Sequence, residues 1–154
     1  MANVFIGIGS KIEPAENINR ALEALAACCT AIEQSPHYQS PGVDGADGVF
    51  VNLVVKAQTH LAPEDLVAAL KEIEQTCGRS ASSHTIDLDL LLYDKLILNT
   101  DTVSVPRDDI ERYAFVLKPL ADLAPTEKHP VLALTYREMW ERAELDASHL
   151  SLID

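Results

Sequence analysis

The chain has 154 residues, 47% of them hydrophobic, with 24 Asp and Glu against 12 Lys and Arg, for a formal net charge of −12. This length and apolar content suit a single domain, residues 1–154, with a proper core, and exclude a disordered segment. The acidic balance argues against nucleic acid as a partner, because affinity for a phosphate backbone comes mostly from clustered Lys and Arg.

The first element is a strand over Asn3 to Ser10, in which Val4, Phe5, Ile6 and Ile8 alternate with Gly7 and Gly9 towards its end. Gly9-Ser10 is expected to turn there and to let the backbone approach a ligand closely. No basic n-region or long apolar stretch opens the chain, and no window approaches ~18 uninterrupted apolar residues, so neither a signal peptide nor a membrane span is expected. Pro14 fits the first helical position, and Ile18, Leu22, Leu25 and Cys29 form a helical stripe. The three cysteines are Cys28, Cys29 and Cys77. Two of them are vicinal and no Cys-x-x-Cys occurs, so a reduced, cytoplasmic protein is expected, with all three as small buried side chains.

Ala31 to Tyr38 reads as a second strand, followed by a Gly- and Asp-rich loop from Ser40 to Gly48. Phe50 to Thr59 is a third strand, with Val51, Leu53, Val55 and Ala57 on one face and Phe50, Asn52, Val54 and Lys56 on the other. Pro63 opens a second helix with the stripe Leu66, Leu70, Ile73 and Cys77, ending at Gly78. Glu74 lies on the edge of that stripe, either snorkelling to water or turned inward as a site group.

After the polar loop Ser80 to His84 comes the best strand of the chain, Thr85-Ile86-Asp87-Leu88-Asp89-Leu90-Leu91-Leu92-Tyr93. Asp87 and Asp89, at i and i+2, leave a strand on the same face, roughly 6–7 Å apart. Two unpaired carboxylates side by side are costly to bury. The residues alone leave two readings open: a divalent cation with phosphate oxygens between them, or a polar strand face meeting water or an arginine. Further on, Leu96-Ile97-Leu98 reads as a small strand and Val103 to Pro106 as extended. Phe115 to Leu120 is an apolar run. Thr135-x-x-Glu138 has the form of a capping box that starts a last helix carrying Met139, Trp140 and Ala143, with Trp140 in the core.

The order strand, helix, strand, strand, helix, strand is the βαββαβ, ferredoxin-like pattern: an α+β fold with an antiparallel sheet, two helices on one face and C-terminal additions. First and last strands are expected side by side and parallel at the centre, bringing Gly9-Ser10 next to Asp87 and Asp89. A ligand would lie on the sheet face that the two helices leave open.

These pieces together resemble a known family. Ile8-Gly9-Ser10, Phe50-Val51-Asn52, Ile73-Glu74-x-x-Cys77-Gly78-Arg79, Thr85-Ile86-Asp87-Leu88-Asp89, Val105-Pro106 and Phe115-Val116-Leu117-Lys118-Pro119-Leu120 occur in the order found in the 6-hydroxymethyl-7,8-dihydropterin pyrophosphokinases of folate biosynthesis. The resemblance implies transfer of pyrophosphate from ATP to the pterin hydroxymethyl oxygen, with Asp87 and Asp89 holding two Mg²⁺ ions. It implies Phe50 and Phe115 stacking on the pterin, Asn52 hydrogen-bonding its polar edge, and Gly9 beside it. Glu74, Arg79, Thr85, Arg107 and Arg112 fall to the nucleotide, and Arg79, His84 and Arg107 join the two aspartates as catalytic candidates. A monomer is implied as well. The chain departs from the pattern in five places: a short loop without Trp before the Asp strand, His84 for an Arg, Arg107 for a His, Tyr113 for an Arg, with Arg112 displaced by one, and Lys11 for an Asn. These departures set beside the enzyme a second reading, a weak or inactive relative that binds pterin or nucleotide as a regulatory or carrier module.

Overall fold

The structure is a computed structural model, and it describes residues 1–11, 14–41, 49–77, 86–147 and 150–153. The elements run β1 (Ala2–Ser10), α1 (Pro14–Leu25), β2 (Thr30–Gln34), β3 (His37–Pro41), β4 (Val49–Thr59), α2 (Pro63–Thr76) and β5 (Ile86–Tyr93). The hairpin β6 (Leu98–Asn99) and β7 (Ser104–Val105) follows, then α3 (Asp109–Arg112), α4 (Ala114–Leu123), α5 (Tyr136–Arg142) and β8 (Ser151–Ile153). The α+β, ferredoxin-like expectation holds: the main sheet has the order β5-β1-β4-β3-β8, with β2 also pairing β4.

β1 and β5 are neighbours as expected, but they run antiparallel, and β5 lies at the end of the sheet order rather than at its centre. The reason is the crossover. The β4–α2–β5 unit places β4 and β5 parallel to each other with β1 between them, antiparallel to both. The outward backbone of β5 is closed in part by other groups. The Leu88 N–H donates to Glu74 Oε2 at 2.8 Å, and the Leu91 carbonyl accepts from the Arg107 N–H at 2.9 Å. Covering an edge this way removes a template for unwanted strand pairing.

The two faces of β4 part as the alternation predicts. Val51, Leu53, Val55 and Ala57 join Ile18, Leu25, Leu66 and Leu70 in a core beneath α1 and α2. Val54 turns the other way and packs with Phe5, Leu91, Leu117 and Leu120 in a second core. That second core corrects the expectation of an open face: the apolar run from Phe115 is helical, and α4 and α5 cover part of it. Trp140 packs half-buried against this core, with the Lys118 ammonium 5.5 Å from its ring centroid.

Local differences have local causes. The expected strand Ala31 to Tyr38 breaks into β2 and β3 at Ser35-Pro36, where Pro36 has no N–H to donate. Ser35 holds the break together: its N–H donates to the Val54 carbonyl and its Oγ accepts the Val54 N–H, both at 2.9 Å. Ser40 and Pro41 belong to β3 rather than to the loop, and the strand expected at Leu96 is confined to Leu98–Asn99. Gly9 and Ser10 are paired within β1 and form no turn. All three cysteines are free thiols. Cys29 and Cys77 are buried, whereas Cys28 is only partly so. The capping box forms as its sequence requires: Thr135 Oγ1 accepts the Glu138 N–H, and Glu138 Oε1 accepts the Thr135 N–H, both at 3.1 Å.

Candidate active site

The site begins with two rows across the sheet. In the first, Asn52 on β4 pairs with Gly9 on β1, which pairs with Asp87 on β5. In the second, Val54, Gly7 and Asp89 follow the same three strands. Paired residues share a face, and strands are about 4.8 Å apart. Each row therefore sets a side chain and a carboxylate roughly 10 Å apart with only glycine between, leaving a shallow floor. The floor depends on Gly9: a Cβ there would lie 2.6 Å from Asn52 Oδ1, well inside contact distance.

This floor belongs to a cleft of about 260 Å³. Gly7, Gly9, Phe50, Asn52, Asp87 and Asp89 line it from the sheet, and Asp109, Tyr113, Phe115 and Val116 line it from α3 and α4. Phe50 and Phe115 thus face one cavity from two different elements. The Phe115 ring is stacked on Tyr113, with centroids 4.9 Å apart and planes 19° apart. Lys11 Nζ lies 5.9 Å from the centroid of Phe50. Tyr38, in register with Asn52, donates its hydroxyl to Asp122 Oδ2 on α4. Burial and that carboxylate both push its phenol upward. Tyr38 therefore joins β3 to α4 beside the cleft.

A second cleft, of about 340 Å³, opens on the other side of β5. Lys71 and Glu74 of α2 line it, with Thr102, Ser104 and Arg107 from the segment after β5. Asp87 and Asp89 line this cleft as well as the first. Arg107 reaches towards both carboxylates of its surroundings: its guanidinium is 3.8 Å from Asp89 Oδ1 and 3.5 Å from Asp109 Oδ1.

The positions expected from the sequence divide as follows. Gly9, Phe50, Asn52, Phe115, Asp87 and Asp89 come together in the first cleft, and Glu74 and Arg107 in the second. Glu74 is buried at 6% exposure, turned inward rather than snorkelling. Arg112 lines neither cleft: it pairs with Asp108 at 3.6 Å and lies over the Tyr113 ring. Its place at the end of the one-turn α3 turns it away. Arg79, His84 and Thr85 lie outside the described residues, as do Gly78 and the loop 42–48. Sequence reasoning missed Lys71, Ser104, Asp109 and the pairing of Tyr113 with Phe115. Only Tyr113 had a signal, an aromatic two residues before Phe115 in an otherwise polar stretch.

Whether the residues suit divalent cations is a question of donor chemistry. Among the described residues no group of three or more His, Cys, Asp or Glu forms a ready metal cage. Asp87 and Asp89 instead offer two partly exposed carboxylates at the junction of two clefts. That set fits Mg²⁺, which binds through one or two carboxylates and takes its other ligands from water and substrate phosphates.

The model of the family described as 7,8-dihydro-6-hydroxymethylpterin-pyrophosphokinase matches residues 5–125. A 2-amino-4-hydroxy-6-hydroxymethyldihydropteridine pyrophosphokinase of Pseudomonas aeruginosa is 39% identical over 135 residues, covering 82% of this chain and 83% of the relative. The protein of the same name from Aquifex aeolicus is 31% identical over 145 residues, covering 90% of each. Among solved structures, wild-type Plasmodium falciparum HPPK-DHPS with SDX-DHP superposes with a TM-score of 0.75 at 14% identity. The match covers 92% of this chain and 43% of that one, so the chain spans less than half of that longer protein. The fold is common to both. With the family model matched over most of the chain and relatives above 30% identity along nearly their whole length, this chain belongs to the 7,8-dihydro-6-hydroxymethylpterin-pyrophosphokinase family.

Proposed function

We propose that this chain, acting as one domain over residues 1–154, transfers pyrophosphate from ATP to 6-hydroxymethyl-7,8-dihydropterin. The observation that supports this reading best is that Asp87 and Asp89 line both clefts. Transfer between two substrates needs their reacting atoms held in line, and two cavities meeting at two carboxylates offer such a place.

In this reading the pterin lies in the 260 Å³ cleft, over Gly7 and Gly9, between Phe50 and Phe115, with its polar edge on Asn52. The triphosphate lies in the second cleft, where Lys71 and Arg107 supply positive charge. The hydroxymethyl oxygen attacks the β-phosphorus of ATP. The bond from that phosphorus to the oxygen bridging the α-phosphate breaks, the hydroxyl proton leaves to solvent, and AMP departs. Asp87 and Asp89 would hold Mg²⁺, which when bound neutralises phosphate charge and favours in-line transfer. Arg107, held by Asp109, keeps a guanidinium next to Asp89 and facing the nucleotide cleft. Arg79, His84 and Thr85 are assigned to the nucleotide on the family resemblance alone, and Arg112, which lines neither cleft, is left out of that assignment. A cytoplasmic setting is in keeping with three free cysteines, and a monomer is carried over from the family resemblance.

The test is AMP release with ATP, Mg²⁺ and the hydroxymethyl dihydropterin. Turnover well above an Asp87→Ala control is expected. Turnover no greater than that control, with pterin still bound in calorimetry, would leave a carrier or regulatory module in place of an enzyme.

A further inference from the structure

We infer that Tyr113 is a positioning residue for the pterin: its ring backs Phe115 and sets the plane against which the substrate stacks. The inference rests on the functional reading above. Tyr113 is the extended residue between α3 and α4, with φ −124° and ψ 125°, and it caps the start of α4. That extended joint brings two rings at i and i+2 face to face, 4.9 Å apart and nearly parallel. Both rings line the 260 Å³ cleft. One face of Phe115 is therefore occupied by Tyr113, which leaves the other for a ligand. The Arg112 guanidinium sits 5.3 Å from the Tyr113 centroid on a side chain also paired with Asp108. Arg112, Tyr113 and Phe115 thus form a stack that starts with a surface cation and ends at the cleft.

Without its backing, the Phe115 side chain near the start of α4 would be free to change rotamer. An aromatic partner of this geometry fixes the ring in advance, so less order is lost when the substrate binds. The consequence is selective. A residue acting through Phe115 affects the pterin and leaves ATP binding alone, because neither ring lines the second cleft.

The experiment compares wild type, Tyr113→Ala and Tyr113→Phe, measuring pterin affinity by calorimetry with a non-hydrolysable ATP analogue present, and KM for each substrate separately. Tyr113→Ala is expected to weaken pterin binding roughly 3- to 10-fold. The rise should fall on the pterin KM and spare the ATP KM, and Tyr113→Phe should restore both. Pterin affinity unchanged in Tyr113→Ala, or equal losses in Tyr113→Ala and Tyr113→Phe, would overturn the inference. Should Tyr113→Ala not fold, Tyr113→Leu keeps the bulk, lacks the ring and decides in its place. A wild-type protein that binds no pterin would overturn the functional reading, and the role of Tyr113 with it. A wild type that binds alongside an unaffected variant overturns the role alone.

Discussion

Glu74 on α2 accepts the backbone N–H of Leu88, the residue between Asp87 and Asp89, at 2.8 Å. A buried helix carboxylate thus fixes the edge strand at the point from which both site aspartates project. Losing the acceptor of a buried N–H costs about 1–3 kcal/mol. Glu74→Ala is expected to lower stability by about 2 kcal/mol in denaturant titrations. Glu74→Gln, which keeps an acceptor oxygen, should cost less. A Glu74→Ala protein as stable as wild type would show that water replaces the carboxylate without loss.

The row Asn52, Gly9, Asp87 makes a second expectation. A methyl at position 9 would sit 2.6 Å from Asn52 Oδ1, and the strand pairing on both sides of Gly9 leaves its backbone little room to move. Asn52 must therefore swing aside. Gly9→Ala should raise the pterin KM by about tenfold, the effect of losing roughly 1.4 kcal/mol of polar contact. It should also cost about 1–3 kcal/mol in stability, as overpacking does. At Gly7 a Cβ would meet Leu91 no closer than 3.5 Å, an ordinary contact, so Gly7→Ala should spare the stability that Gly9→Ala loses. Equal losses of stability at Gly7 and Gly9 would count against the crowding of Asn52.

Much of this was legible in the sequence because it rests on period and neighbourhood. The alternation of β4 gave the side of Phe50 and Asn52, and the i, i+2 spacing gave the shared face of Asp87 and Asp89. The element order placed Gly9 beside Asp87. The direction of β5 relative to β1 depends on how the α2 crossover passes over the sheet, which no local pattern encodes. The break at Ser35-Pro36 was missed because residues 31–38 carry no alternation that would mark where one strand ends and the next begins, and Pro36 was read through. Lys71, Ser104 and Asp109 were invisible for a related reason. Each reads as an ordinary surface residue until α2, β7 and α3 fold back onto β5. Glu74 was ambiguous because an acidic residue at the edge of an apolar stripe is usually solvated, and its partner is a backbone N–H that no side-chain pattern reveals.

Asp87 and Asp89 project from β5 only partly buried. Among the described residues Arg107 lies 3.8 Å from Asp89, and both groups of that pair are more than a third exposed. Such a pair contributes about 0–1 kcal/mol. Asp87→Asn and Asp89→Asn should therefore melt within a few degrees of wild type while losing roughly 10³-fold in AMP release, the scale of several kcal/mol of charge stabilisation. Chelation of divalent ions should abolish wild-type turnover, and added Mg²⁺ should restore it. Activity that survives either aspartate change at more than a tenth of wild type would remove that residue from the metal site.

His129 supplies a pH dependence from a residue that lines neither cleft. It is buried at 3% exposure, and its Nδ1 accepts the backbone N–H groups of Val131 and Leu132 at 3.1 and 3.2 Å. Burial lowers its pKa below the ordinary 6.5, with Glu111 acting in the opposite sense. The unfolded chain therefore binds the proton more readily than the folded one. The stability that neutral His129 provides is complete above about pH 6.5 and is lost as pH falls through the lower, folded value. Protonation of Nδ1 would also displace two donors at once. His37 is lowered by burial too, so the comparison belongs in a His37→Asn background. There, the melting temperature should fall between pH 7.5 and 5, and His129→Asn, which keeps an acceptor but does not titrate, should flatten that fall. Parallel curves for the two proteins would place the acid sensitivity elsewhere.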